Sequence, residues 1–192
     1  MTLEGDSDQQ LIASYQVGDE VALEILIKRY LGLVYNLVYR YVNSGSDAED
    51  ITQEVFIKVW KNLPKFDQHK NFKIWLTVIA RHTALDWLKK KKLLLFSSLE
   101  DENGHSLIED MVSSDLLSAP NELYDQEQRR ARLSAAVNHL ATKYRLVLFL
   151  HYNGHLTFQE IAEVLGEPLD TVKSRNRRAL IKLRELLYRK DF

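Results

Sequence analysis

Five cations, Lys173, Arg175, Arg177, Arg178 and Lys182, crowd the second half of TFQEIAEVLGEPLDTVKSRNRRALIKL, the stretch from Thr157 to Leu183. Guanidinium and ammonium groups suit phosphates and the O6 and N7 acceptors of guanine, so such a cluster points to a polyanion. The chain as a whole is nearly neutral, with 26 Lys and Arg against 27 Asp and Glu and a formal net charge of -1 over 192 residues. Charge position therefore carries information that net charge does not.

The elements that must hold these cations are legible around them. Thr157 and Glu160 have capping-box spacing, so FQEIAEVL reads as a short helix. Gly166 fits the left-handed position that closes such a helix, EPL is a turn, and Asp170 is placed to cap a last helix. Helix, glycine-containing turn and helix make a helix-turn-helix, whose second helix enters the major groove. At about 3.6 residues per turn, Val172, Asn176, Ala179, Leu183 and Leu186 share one face, expected to pack on Ile161, Ala162 and Leu165. Lys173, Ser174, Arg177, Arg178 and Ile181 share the opposite face. A solvated charged face would give the last helix the same pattern, but cap, glycine, turn and cations together point to DNA.

The first half carries a second nucleic-acid signal. Phe66, Phe72, Trp75 and Trp87 interleave with Lys65, Lys70, Lys73, Arg81 and the run Lys89 to Lys92. Aromatic rings beside cations suit single strands, because unstacked bases lie on rings. Trp75 and Trp87 fall in helical periodicity and read as core, whereas Phe66 falls in a loop and reads as exposed. The lysine run also suits a helix end, where cations meet the negative pole of the dipole.

These segments sit in an all-α chain of two helical blocks. Gly (7) and Pro (3) are scarce, so long helical runs meet few breakers. In the first block Asp19 is placed to cap a long helix whose apolar residues recur from Ala22 to Tyr41. After NSGS, Ser46 and Glu49 have capping-box spacing, so a second helix is expected to start there. It turns Ile51, Val55, Phe56, Val59 and Leu63 inward and Asp47, Asp50, Glu54, Lys58 and Lys61 outward, and Pro64 ends it. KFDQHK reads as a loop, and Asn71 can cap the helix FKIWLTVIARHTALDWLKKKK.

Between Lys92 and Arg129 there is no Lys or Arg, while Glu100, Asp101, Glu102, Glu109, Asp110 and Asp115 accumulate among Ser, Gly104 and Pro120. Residues 96–121 therefore read as an extended acidic linker between a domain at 1–95 and a second at 122–192. There are no cysteines, which excludes disulfides and thiolate metal sites. His151 and His155 are four apart, but Gly154 interrupts them and no third ligand accompanies them, so neither metal nor cofactor is expected. The start MTLEGDSDQQ is acidic and polar, unlike a signal peptide, and no apolar run approaches the ~20 residues that span a bilayer. A cytoplasmic protein without membrane insertion is expected.

Three segments in this order resemble the extracytoplasmic-function (ECF) group of bacterial sigma factors, the two-domain members of the sigma-70 family. DAEDITQEVFIKVWKNL resembles the group's helix for core RNA polymerase. FKIWLTVIARHTALDWLKK resembles its promoter-melting and minus-ten helix, and LTFQEIAEVLGEPLDTVKSRNRRALIKLRELL its minus-thirty-five helix-turn-helix. The resemblance implies a factor that binds core polymerase through its beta and beta-prime subunits, directs it to promoter DNA and helps open the duplex. It implies that Asp47, Asp50, Gln53 and Glu54 dock on a coiled coil of beta-prime. It implies that Lys65, Phe66, Lys70, Asn71, Arg81 and His82 handle the minus-ten strand, with the loop Lys65–Asn71 holding a flipped base. It implies minus-thirty-five contacts from His151, Thr171, Lys173, Ser174, Arg175, Arg177 and Arg178, with Arg178 reading a base and Arg175 nearer a phosphate or structural role. It further implies a linker that threads toward the active-centre cleft and an anti-sigma factor as partner. His82 stands where the group commonly has Asn, and His151 where it often has an Arg on DNA.

Two other classes compete. A stand-alone helix-turn-helix regulator would use the second block for DNA and the first for dimerisation or sensing, leaving the acidic helix and the aromatic-basic segment unexplained. An enzyme is not expected, because no paired catalytic carboxylates, nucleophile-base pair or Gly-rich phosphate loop is present.

Overall fold

The computed structural model describes residues 5–97 and 123–188, with side-chain surroundings given for 5–93 and 131–188. The acidic linker lies outside the described residues, apart from Phe96 and Ser97, which continue a helix. The described residues are helical without strands and divide between two compact units.

The first unit is built on four helices: α1 (Asp8–Gln16), α2 (Glu20–Val42), α3 (Gly45–Asn62) and α4 (Phe72–Ser97). Helix α1 opens on a reciprocal cap in which the Gln10 amide donates to Ser7 Oγ at 3.3 Å and the Ser7 amide donates to Gln10 Oε1 at 2.8 Å. Asp19 caps α2 as its sequence position predicts, accepting the Val21 amide at 3.0 Å. One face of α2 buries Ala22, Leu26, Tyr30, Val34, Leu37 and Val38, the three-four spacing of a core-facing stripe.

The start of α3 differs from the expectation at Ser46. Asn43 ends α2 in the left-handed region (φ 53°), Ser44 is extended, and the Ser44 hydroxyl accepts the Asp47 amide at 3.4 Å. This tight reversal leaves Ser44 as the last non-helical residue, so the cap falls there and Ser46 is already helical. Pro64 acts as expected. Helix α3 ends at Asn62, and Leu63–Lys65 form one 3-10 turn containing the proline. Asn71 Oδ1 accepts the Ile74 amide at 3.2 Å, the expected cap of α4.

The core of this unit joins Leu11 and Ile12 of α1 to the α2 stripe, to Ile51, Val55 and Val59 of α3, and to Leu76, Ala80 and Ala84 of α4. Two threonines buried on α4, Thr77 and Thr83, return their hydroxyl protons to the carbonyls of Lys73 (2.6 Å) and Ile79 (2.9 Å), which satisfies them inside an apolar core. Asp8 of α1 receives the Tyr30 hydroxyl and the Arg29 guanidinium, the latter at 2.7 Å, which pins α1 to α2. Burial, and then the adjacent Asp8 carboxylate, hold the Tyr30 phenol well above its ordinary pKa.

The second unit is built on α5 (Leu123–Asn138), α6 (Thr142–Leu148), α7 (Phe158–Leu165) and α8 (Leu169–Tyr188). Helix α6 runs into a single π turn over Phe149–Asn153, where the Gly154 amide reaches back to the Phe149 carbonyl at 2.9 Å. A Cβ at Gly154 would lie 2.5 Å from the Leu150 carbonyl oxygen, so only glycine fits. Leu140, Tyr144, Leu148 and Ala179 form a core against which Leu183 and Leu186 pack. The lower part of the apolar α8 face therefore rests on α6 and the end of α5, not on α7 as its periodicity alone suggests. Length explains this: the 8-residue α7 spans about 12 Å and the 20-residue α8 about 30 Å, so α7 can cover only part of α8.

Candidate nucleic-acid interface

The helix-turn-helix is fastened locally at three points. Glu160 Oε2 accepts the Thr157 amide at 2.7 Å, and Thr157 Oγ1 accepts the Glu160 amide at 3.2 Å, the capping box expected at the start of α7. Gly166 closes α7 with φ 63°, a conformation that costs glycine little. Arg175 then reaches back from α8 to the turn, where its Nη1 lies 2.5 and 2.7 Å from the two carboxylate oxygens of Glu167. Asp170 does not cap α8. The helix begins at Leu169, the Pro168 carbonyl accepts the Val172 amide at 3.2 Å, and Asp170 lies inside the first turn, where its charge favours the helix dipole.

On this frame Lys173, Arg177 and Arg178 are exposed and have no side-chain partner among the described residues. Ser174 is half-buried and donates its hydroxyl to the Thr171 carbonyl at 2.9 Å, which leaves its oxygen lone pairs as acceptors. Thr171 is half-buried at the start of the same helix. Arg175 is the exception in this row. Its ion pair with Glu167 makes it a brace of the turn rather than a cation open to phosphate. His151 is also partly committed. Its Nδ1 lies 2.9 Å from the Leu156 carbonyl, and its ring stacks on Phe158 at 4.5 Å. A carbonyl only accepts, so Nδ1 carries the proton and Nε2 is the nitrogen left for a ligand. No group of three or more potential metal ligands occurs among the described residues.

In the first unit Lys65, Lys70, Asn71 and His82 are exposed and Arg81 is half-buried. Lys65, Lys70 and Asn71 share the α3–α4 connection, whereas Arg81 lies roughly 15 Å further along α4. Phe66 overturns its expected exposure. It is 7% exposed and packs on Phe72 (5.7 Å between centroids) and Trp75 (4.8 Å). Its position in a loop did not make it accessible, because the two rings that begin α4 offer it an apolar seat. The aromatic cluster is thus the floor of the loop, and Phe66 has no free face for a base.

The acidic set on α3 separates in the same way. Asp50, Gln53 and Glu54 are exposed, with Glu54 paired to Lys58 at 2.8 Å in an i,i+4 bridge. Asp47 instead pairs with Lys91 of α4 at 3.0 Å, so its charge is spent inside the unit. Beside the exposed acids stand two apolar residues that sequence reasoning missed, Ile57 (49% exposed) and Trp60 (54%). They continue the row Gln53, Ile57, Trp60 at three-four spacing. That spacing was a readable signal, because the inward stripe of Ile51, Val55 and Val59 excludes both residues from the core. No described helix is long and apolar enough to cross a membrane.

Comparison with known proteins matches residues 26–93 to the family described as Sigma-70 region 2 and residues 130–183 to that described as Sigma-70, region 4. The chain is 31% identical to the ECF RNA polymerase sigma factor SigW of Bacillus subtilis over 178 residues, 92% of this chain and 94% of that protein. It is 34% identical to the ECF RNA polymerase sigma-E factor of Escherichia coli K12 over 173 residues, 90% of each chain. Among solved structures, the sigma factor RpoE of Bartonella quintana, in complex with the anti-sigma factor NepR, has the same fold with a TM-score of 0.66. The identity is 22%, and the match covers 87% of this chain and 97% of that one.

Proposed function

The chain belongs to the ECF group of sigma-70 factors, and from that premise we propose how its residues divide the work of transcription initiation. Such a factor binds core RNA polymerase, recognises the minus-ten and minus-thirty-five promoter elements and promotes melting. In our reading, residues 1–95 bind core polymerase and the minus-ten strand, residues 122–192 bind the minus-thirty-five duplex, and 96–121 link them. Asp50, Gln53 and Glu54 dock on the beta-prime coiled coil, with Ile57 and Trp60 adding apolar contact. Asp47 supports that surface through Lys91. Lys65, Lys70, Asn71, Arg81 and His82 face the minus-ten strand, and Phe66 supports their loop from beneath.

On α8, Lys173 and Arg177 meet phosphates, Arg178 reads a base and Ser174, whose proton is already given to Thr171, accepts one further bond. Thr171 and His151 lie at the margin of this surface. The factor works by binding, in the cytoplasm, and carries no catalytic step of its own. An anti-sigma factor is the regulatory partner that membership of the group implies.

The observation that carries the reading is the arrangement on α8: three cations with no side-chain partner among the described residues, on a helix whose turn is fixed by a capping box, a left-handed glycine and an internal ion pair. A stand-alone regulator would need that surface alone. It gives no account of a first unit that matches region 2. Run-off transcription from a genomic promoter library, with core polymerase in the presence and absence of this chain, is the test. Transcription from a defined promoter subset only when the chain is added is the expected result. Duplex binding without any effect on core polymerase would overturn it.

A further inference from the structure

Helix α1 is tied by hydrogen bonds to the α3–α4 loop. Gln16, the last residue of α1, donates its Nε2 to the carbonyls of Leu63 (3.2 Å) and Phe66 (3.4 Å) and accepts from Gln68 Nε2 at 2.5 Å. At the other end of α1, Asp8 is held by Arg29 and Tyr30 of α2. Between the start of α1 and the loop lies a cavity of about 410 Å³. Asp8, Gln9 and Ile12 line one wall, and His69, Lys70 and Asn71 line the other. That volume is within the range of small-ligand pockets, about 300–1,000 Å³.

We propose that α1 is the second wall of the minus-ten base pocket and that Gln9 is a specificity-determining residue there. The proposal rests on the assignment of the loop to an unstacked minus-ten base. Phe66 is buried, so a base at this loop cannot lie on its ring and must be recognised through its edge. The two walls offer different edge chemistry. Asp8 only accepts, and the Arg29 guanidinium balances its charge, so it presents acceptor lone pairs to a base without an unscreened anion. Lys70 and the Asn71 amide nitrogen donate. Gln9 is exposed, has no side-chain partner among the described residues, and can both donate and accept. A base edge with an amino donor beside a ring acceptor satisfies both walls. Adenine and cytosine have that edge, and thymine sets an acceptor where the amino group should be. The pocket therefore favours adenine or cytosine over thymine.

The test uses holoenzyme assembled from core polymerase and the full chain, on pre-melted promoters whose non-template minus-ten positions carry each of the four bases in turn. Wild type should prefer adenine or cytosine over thymine at one position. Gln9→Ala and Lys70→Ala should each reduce that preference by roughly tenfold at the same position, about the worth of one lost base-edge pair. Core binding and the thermal melt should be unchanged for Gln9→Ala, because the residue is exposed. If Lys70→Ala shifts the preference and Gln9→Ala leaves it intact or lowers output equally on all bases, α1 is not a reading wall, while the loop assignment stands. If neither variant shifts preference at any position, the loop assignment itself fails and the proposal fails with it.

Discussion

Arg175 and Glu167 clasp the turn of the helix-turn-helix, with Nη1 2.5 and 2.7 Å from the two carboxylate oxygens. The pair joins the recognition helix to the residue just after Gly166, so it fixes the angle at which α8 is presented. Arg175→Ala should therefore act on every upstream element alike, unlike the loss of a base-reading residue. Both side chains are about three-quarters covered, so the expected cost is about 1 kcal/mol in the stability of the second unit, between an exposed pair and a fully charge-assisted bond. Glu167→Gln should give a similar loss, and the double variant little more than either single one. Denaturant melts of the three variants, read as a double-mutant cycle, check this.

The acidic face of α3 predicts a split between neighbours that look alike in sequence. Reversing Asp50 and Glu54 to Lys should weaken core-polymerase binding by at least ~10-fold while helicity is kept, since both are exposed and the attraction is to a basic surface. Asp47→Lys should instead loosen the α3–α4 junction, because Asp47 is tied to Lys91 at 3.0 Å. Trp60→Ala should weaken core binding while lowering the melting temperature only modestly, as about half of the residue is exposed. Competition for core polymerase against labelled wild type, beside thermal melts, separates the two outcomes.

Phe66→Ala is expected to behave as a core truncation. The ring packs on Phe72 and Trp75, so its loss should cost roughly 3–5 kcal/mol, enough to threaten the whole first unit. Duplex and pre-melted templates should then lose activity together, in step with the melting temperature. Rescue by a pre-melted bubble at full stability would show that the ring meets DNA after all.

What the sequence revealed and what it hid follow from the range of the interactions involved. The caps at Asp19, Asn71 and Thr157, the left-handed Gly166 and the stop at Pro64 are set by residues within a turn of one another, and all five were readable. The fates of Phe66, Asp47 and Arg175 were decided by partners brought up by the fold: an aromatic pair on the next helix, a lysine 44 residues away and a glutamate across a turn. Spacing gives the face on which a side chain lies, but not whether that face is already occupied. The π turn was also unreadable, because its i→i+5 bond uses backbone groups that any sequence carries. Only Gly154 hinted at it.

That glycine yields a prediction of its own. A methyl group at Gly154 would stand 2.5 Å from the Leu150 carbonyl oxygen, which is backbone and cannot swing aside. Gly154→Ala should cost roughly 1–3 kcal/mol by overpacking and disturb the approach to α7. Lost amide protection from Leu150 to Thr157 in hydrogen exchange, with the first unit unchanged, is the expected signature.

Arg178 is the residue on which promoter choice should turn. It lies on the exposed face of α8, one turn beyond Ser174, and its guanidinium has no partner among the described residues to hold it back. A bidentate contact to guanine O6 and N7 contributes about 1–3 kcal/mol and acts at one base pair. A phosphate contact of the same charge would instead weaken all sequences similarly and lower the salt slope by about one unit. Lys173→Ala and Arg177→Ala should follow the second pattern. Arg178→Ala should follow the first, relaxing the preference at a single upstream position by roughly 5- to 100-fold while output from promoters lacking that base stays nearly constant. Transcription by each variant from promoters randomised across the upstream element distinguishes the patterns. A uniform fall for Arg178→Ala with the preferred sequence unchanged would place it among the backbone contacts and leave Lys173 and Ser174 as the remaining candidates for reading bases.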